Sequence, residues 1–114
     1  MSVVRRIALP VEADGSLGRR WGRARLVAVA SVEDGGIAAW SVHDVGWDTA
    51  HDEGTEGSHH ARVAGFLREH GVDTVAVDHV GEGMARMLAT MGVAVVPVAT
   101  GDARAAAIEA AART

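Results

Sequence analysis

Six histidines, His43, His51, His59, His60, His70 and His79, stand in a chain that has no cysteine. Neutral imidazole is a good ligand for transition metals. His51, His59, His60 and His79 fall in or beside glycine-bearing loops, where Asp52, Glu53, Asp78 and Glu82 can add oxygen ligands. No pair stands in the HExxH arrangement that puts two imidazoles on one helical face. Metal ligation is therefore a matter of composition here. Ordinary solvated loop histidines are the alternative.

The cations are as distinctive. All eleven basic residues are arginine. Without lysine there is no Schiff-base amine and no P-loop lysine. Arg19, Arg20, Arg23 and Arg25 crowd around Trp21. Guanidinium forks grip planar anions, so this reads as an anion-binding loop with an aromatic wall. A solvated basic turn, with Trp21 anchoring an apolar patch, reads as well. Gly81-Glu82-Gly83 precedes a helix as a phosphate loop would, but it lacks both GxGxxG and the Walker lysine. A tight strand-to-helix turn explains it equally. Met84, Met87 and Met91 are at helical spacing and belong to a core face. No serine sits in GxSxG, and Ser58 beside His59 reads as a helix N-cap. Nothing in the chain argues for an enzyme.

The elements that position these residues follow from periodicity. Val3 to Val11 is a β-rich opening, with Pro10 placing its end at an edge or boundary. Arg25 to Val32 and Ile37 to His43 are strands joined by the turn Glu33-Asp34-Gly35-Gly36. Asp44 to Ser58 is a long polar loop, and loops of that length in compact domains are usually functional or disordered. A helix runs from Ser58 to the stop at His70-Gly71. Asp73 to Asp78 and Val93 to Val98 are short apolar strands. Met84 to Met91 is a helix, and Asp102 caps a last one over Ala103 to Ala112. The order is βββαβαβα, a mixed α/β sheet of five strands with three helices. Ligands in such sheets bind beyond the carboxyl ends of parallel strands. That brings the loops 16–24, 44–60 and 78–83 together at one end, beside a helix N-terminus that favours anions.

Size and charge bound the function. A chain of 114 residues is one domain over 1–114. The absence of cysteine excludes a disulfide framework and a self-ligated iron–sulfur cluster. A net charge of −4 argues against a nucleic-acid binder. There is no apolar run of membrane-span length and no signal-peptide pattern, so a cytoplasmic protein away from membranes is expected.

Several segments together resemble one family. They are Ile7-Ala8-Leu9-Pro10-Val11-Glu12, Trp21-Gly22-Arg23-Ala24 and Val32-Glu33-Asp34-Gly35. Gly57-Ser58-His59-His60 leading into Ala61 to Leu67, Gly71-Val72-Asp73, Gly81-Glu82-Gly83-Met84 and Met91-Gly92-Val93 complete the set. This pattern is similar to the dinitrogenase iron–molybdenum cofactor biosynthesis family, of the NifX/NifY type also found at the carboxyl end of NifB. The resemblance implies a ribonuclease-H-like motif. It also implies a non-catalytic nitrogenase accessory factor: a small carrier of an iron–molybdenum or iron–sulfur cofactor, or of its precursor. A cofactor-delivery or acceptor protein is the implied partner.

Two departures bear on the site. The family commonly has His-Phe-Gly-Arg-Ala where this chain has Arg20-Trp21-Gly22-Arg23-Ala24, and an arginine cannot ligate a metal. The usual Gly-Gly before the later glycine turn is Asp78-His79. The expected metal ligands are therefore His59, His60, His79 and His51, for a cluster or a divalent ion. Arg20, Trp21, Arg23, Ser58, Gly81 and Gly83 are expected to hold the cofactor. The alternatives are a scaffold relative that has lost the cofactor, and an enzyme acting on a small anionic metabolite.

Overall fold

The computed structural model describes residues 3–50, 56–99 and 101–114. In chain order the elements are β1 (Arg5–Val11), β2 (Leu26–Glu33), β3 (Gly36–Asp44), α1 (Trp47–Ala50) and α2 (Glu56–Glu69). They continue with β4 (Thr74–Val77), α3 (Glu82–Thr90), β5 (Ala94–Pro97) and α4 (Ala103–Ala112). The strands form one sheet in the order β3-β2-β1-β4-β5. β2 runs antiparallel to both β1 and β3, while β4 lies parallel to β1 and β5 parallel to β4.

Local chemistry explains these elements. The β2–β3 turn needs two left-handed residues in succession, and Asp34 and Gly35 supply them at φ 54° and 77°. α2 ends where Gly71, at φ 63°, lets the amide of Val72 reach back to the carbonyl of Leu67 at 3.0 Å. The Asp102 carboxylate accepts from the Ala105 amide at 2.9 Å and caps α4, a contact that contributes ~1 kcal/mol.

The central strand β1 is buried on both faces. Ile7, Leu9 and Val11 face the cluster under α4, while Ala8 faces the cluster under α2 and α3. α4 presents Ala103, Ala106, Ala107 and Ala110, all buried. Methyl-sized side chains let that helix approach the sheet closely.

Several expectations are corrected. The segment read as one long loop from Asp44 to Ser58 holds the one-turn helix α1, so the described residues contain four helices rather than three. α1 forms because Trp47, 1% exposed, is drawn into the core while its amide donates to the Ala24 carbonyl at 3.0 Å. α2 starts at Glu56, so Ser58 is an exposed residue inside the helix and not its N-cap. Pro10 marks a strand boundary and not a sheet edge. It pairs with Val27 at the end of the central strand, and its carbonyl accepts from Gly18 at 2.8 Å. β1 begins at Arg5, leaving Val3 and Val4 exposed.

β3 packs on the end of α2 through aromatic rings. The His43 and His70 rings lie 4.4 Å apart, and Phe66 stands 5.6 Å from His43. Burial first, and the neighbouring His70 second, hold the His43 pKa below its ordinary value of 6.5, with Glu69 opposing them in part. The unfolded chain thus takes up this proton more readily than the folded one. The His43 contribution to stability is complete above about pH 6.5 and is lost as the pH falls from there toward the folded pKa. Urea unfolding midpoints are expected to fall across that window in the parent chain more than in His43→Gln. Parallel profiles for the two would contradict this.

Candidate functional site

β1 and β4 are parallel neighbours, so the loops that follow them leave the sheet at the same end. The first carries Arg19 to Arg23 and the second His79 to Gly81. α2 brings His59 and His60 to the same place, and α3 starts there with Glu82 and Gly83. These residues enclose a groove of about 390 Å³, with Val80 and Met84 completing its wall.

Each expected site residue has a definite place. Arg20, Trp21, Arg23, His59, His60, His79, Gly81 and Gly83 all line the groove, as does Arg19. Ser58 does not line it. His51, Asp52 and Glu53 lie outside the described residues. Asp78 is exposed and does not line the groove, and Glu82 is paired with Arg86 at 2.8 Å.

His59 and His60 differ sharply. His59 is 3% exposed, and its Nε2 stands 2.7 Å from the Gly22 carbonyl oxygen. A carbonyl only accepts, so Nε2 carries the proton. Nδ1 is then an acceptor, facing Arg62 Nη1 at 3.4 Å. In this geometry His59 is a strut that ties the arginine loop to α2. His60 is half-buried, and its ring centre is 6.4 Å from that of His59.

Trp21 is also structural. It is 1% exposed and meets Trp47 edge-on with ring centres 5.2 Å apart. Its Nε1 is buried without a hydrogen-bond partner among the described residues. Gly81 caps α3 with backbone alone at an ordinary φ of −67°, and no side chain engages the first-turn amides. Those amides carry the positive end of the helix dipole.

The charge balance favours an anion. Among the described residues, no ion pair or hydrogen bond engages the side chains of Arg19, Arg20 or Arg23, and all three are exposed. Also among the described residues, no three His, Cys, Asp or Glu side chains are grouped to hold a metal ion. Trp47, Gly22 and Met84 had no assigned part in the site. The tryptophan within a polar segment was the signal for the first. Met84 serves two roles, since it packs in the core and also lines the groove.

A mixed five-stranded sheet with an arginine-lined groove at the carboxyl ends of two parallel strands defines a small protein of the α/β class. The model of the dinitrogenase iron–molybdenum cofactor family matches residues 3–113, and the chain belongs to that family. Several solved structures share the fold, among them two that each cover more than nine-tenths of this chain. One is the protein PH0822, 21% identical at a TM-score of 0.68, covering 92% of this chain and 87% of that one. The other is the apo form of the orange protein from Desulfovibrio gigas, 22% identical at a TM-score of 0.69, covering 96% of this chain and 88% of that one. The comparison with curated proteins found no match.

Proposed function

We propose that this chain is a small non-catalytic carrier that holds an anionic metallocofactor, of iron–molybdenum or iron–sulfur type, in the groove between Arg19–Arg23 and His79–Met84. The observation that carries this reading is the meeting in one groove of the imidazoles of His60 and His79 with three guanidiniums that have no partner among the described residues. Membership of the cofactor family supports it. The donor set suits a preassembled anionic cluster gripped from outside. It suits a bare divalent ion poorly, because guanidiniums repel a cation and no three-ligand group stands ready among the described residues. Such a cluster brings its own metal chemistry. The chain supplies countercharge from Arg19, Arg20 and Arg23, two imidazoles that can bond to it, and the backbone amides that open α3.

The strand order supports placing the sheet among ribonuclease-H-like motifs, and the family match supports reading 1–114 as one domain. No helix of the described residues is long and apolar enough to cross a membrane, in keeping with the cytoplasmic location proposed. A delivery or acceptor protein for the cofactor is the proposed partner. One observation favours a second reading, a scaffold without cofactor: Arg20 stands where the family commonly has histidine.

Anaerobic loading separates the two. Untagged chain is offered extracted iron–molybdenum cofactor or a synthetic iron–sulfur cluster, and bound metal and sulfide are measured. Near-stoichiometric uptake is expected, about tenfold weaker in His60→Ala/His79→Ala for the loss of charge-assisted or ligating contacts. A parent chain that refuses both moves the assignment to the scaffold.

A further inference from the structure

A second cavity lies on the other side of the arginine loop. It measures about 930 Å³, larger than the groove and within the ~300–1,000 Å³ usual for small-molecule sites. Its floor is apolar, made by Val11, Leu17, Ala24 and Leu26. Its rim carries Arg25, and it shares Arg19, Arg20 and Arg23 with the groove. Two carboxylates, Glu12 and Asp48, and the hydroxyl of Ser16, which donates to Asp14 at 2.6 Å, complete the polar lining.

The floor is braced by backbone. The Leu17 amide donates to the Gly101 carbonyl at 2.7 Å, and Gly18 donates to Pro10 at 2.8 Å. Val11 bridges Leu17, and Ser16 bridges Asp102. A cavity held this way is preformed, which lowers the ordering cost of binding.

The charge pattern selects the occupant. Four guanidiniums face two carboxylates in a chain whose net charge is −4. Arg19, Arg20 and Arg23 have no partner among the described residues. Arg25 approaches Asp44 only at 3.6 Å, with both side chains largely in solvent. These forks take phosphoryl oxygens. The apolar floor takes a flat ring. Glu12 and Asp48 accept hydroxyl or amino protons. Inorganic phosphate would leave the floor wet, and a fatty acid would bring no donor to either carboxylate. We infer that this cavity binds a nucleoside phosphate, with the phosphates on the arginine rim and the base on the apolar floor. The cavity and the cofactor groove have Arg19, Arg20 and Arg23 in common, but Arg25 and Leu17 line only this cavity and His60 and His79 only the other.

Calorimetric titration of the full chain with ADP, and separately with pyrophosphate, tests this. ADP is expected to saturate at one per chain and to bind at least about tenfold more tightly than pyrophosphate. Arg25→Ser, an exposed change, should weaken ADP about tenfold, and His60→Ala/His79→Ala should leave it unchanged. Absence of saturation overturns the inference. So does equal binding of pyrophosphate, which would make the rim a charge patch only, or an Arg25→Ser chain that binds ADP as before. Weakening by the histidine variant would put ADP in the groove and also overturn it. Because the cofactor reading rests on metal uptake, either one can fail alone.

Discussion

Trp21→Ala is expected to destabilise the chain by ~3–5 kcal/mol, and Trp21→Phe by less than ~1 kcal/mol. The indole is 1% exposed and packs edge-on against Trp47, so alanine leaves a cavity beneath the arginine loop. A domain of this size has only ~5–15 kcal/mol to lose. Phenylalanine keeps the ring contact and removes the indole nitrogen. That nitrogen is buried without a partner, and leaving such a donor unsatisfied costs ~1–3 kcal/mol. The lost area and the relieved donor therefore nearly cancel. The family pattern, with phenylalanine at this place, fits that balance. Urea denaturation of the two variants decides it. Equal losses would show that the indole N–H does find a partner in solution.

The second large effect concerns His59. His59→Ala removes the 2.7 Å bond to the Gly22 carbonyl and empties a buried position, at a cost of ~2–4 kcal/mol. It also frees the loop that carries Arg19, Arg20 and Arg23, so cluster uptake should fall with stability. His59→Gln separates two roles. A glutamine amide can donate near the former Nε2 position, so it should restore most of the stability and most of the uptake. A metal ligand would not be replaced this way. Stability recovered by glutamine while uptake stays lost would make His59 a ligand after all.

These two residues also show what a sequence can carry. The strands, the Asp34-Gly35 hairpin and the Asp102 cap are local features, written in alternation and turn chemistry, and they appear within a residue or two of where they were read. The meeting of the arginine loop with His79 and the glycine turn was legible as well, because parallel neighbours must release their loops at one end. Adjacent histidines were not separable. His59 and His60 are about 100° apart on a helix, so one faces inward and the other does not, and only the packing of α2 decides which. α1 was hidden because a single turn has no periodicity to read. The large cavity was hidden too. Arg25 is a strand-flanking residue in sequence, and its place beside Asp48 and Leu17 depends on contacts between distant segments.

The groove straddles the seam between β1 and β4, where only Ile7 with Thr74 and Ala8 with Val75 are in register. Beside that seam, the Arg6 amide reaches Asp73 across 67 positions of chain. The β2–β3 hairpin is a local event of ~1–10 μs, whereas the seam forms only when a long loop closes, an entropy loss repaid only once β4 docks. A half-folded chain therefore has the arginine loop without its opposite wall. A cofactor held as proposed needs both walls, so it binds the molecule that has finished folding and by mass action stabilises that molecule alone. Under the proposed carrier function, loading is thus also a proofreading step, sorting complete carriers from incomplete ones before any cargo is handed on.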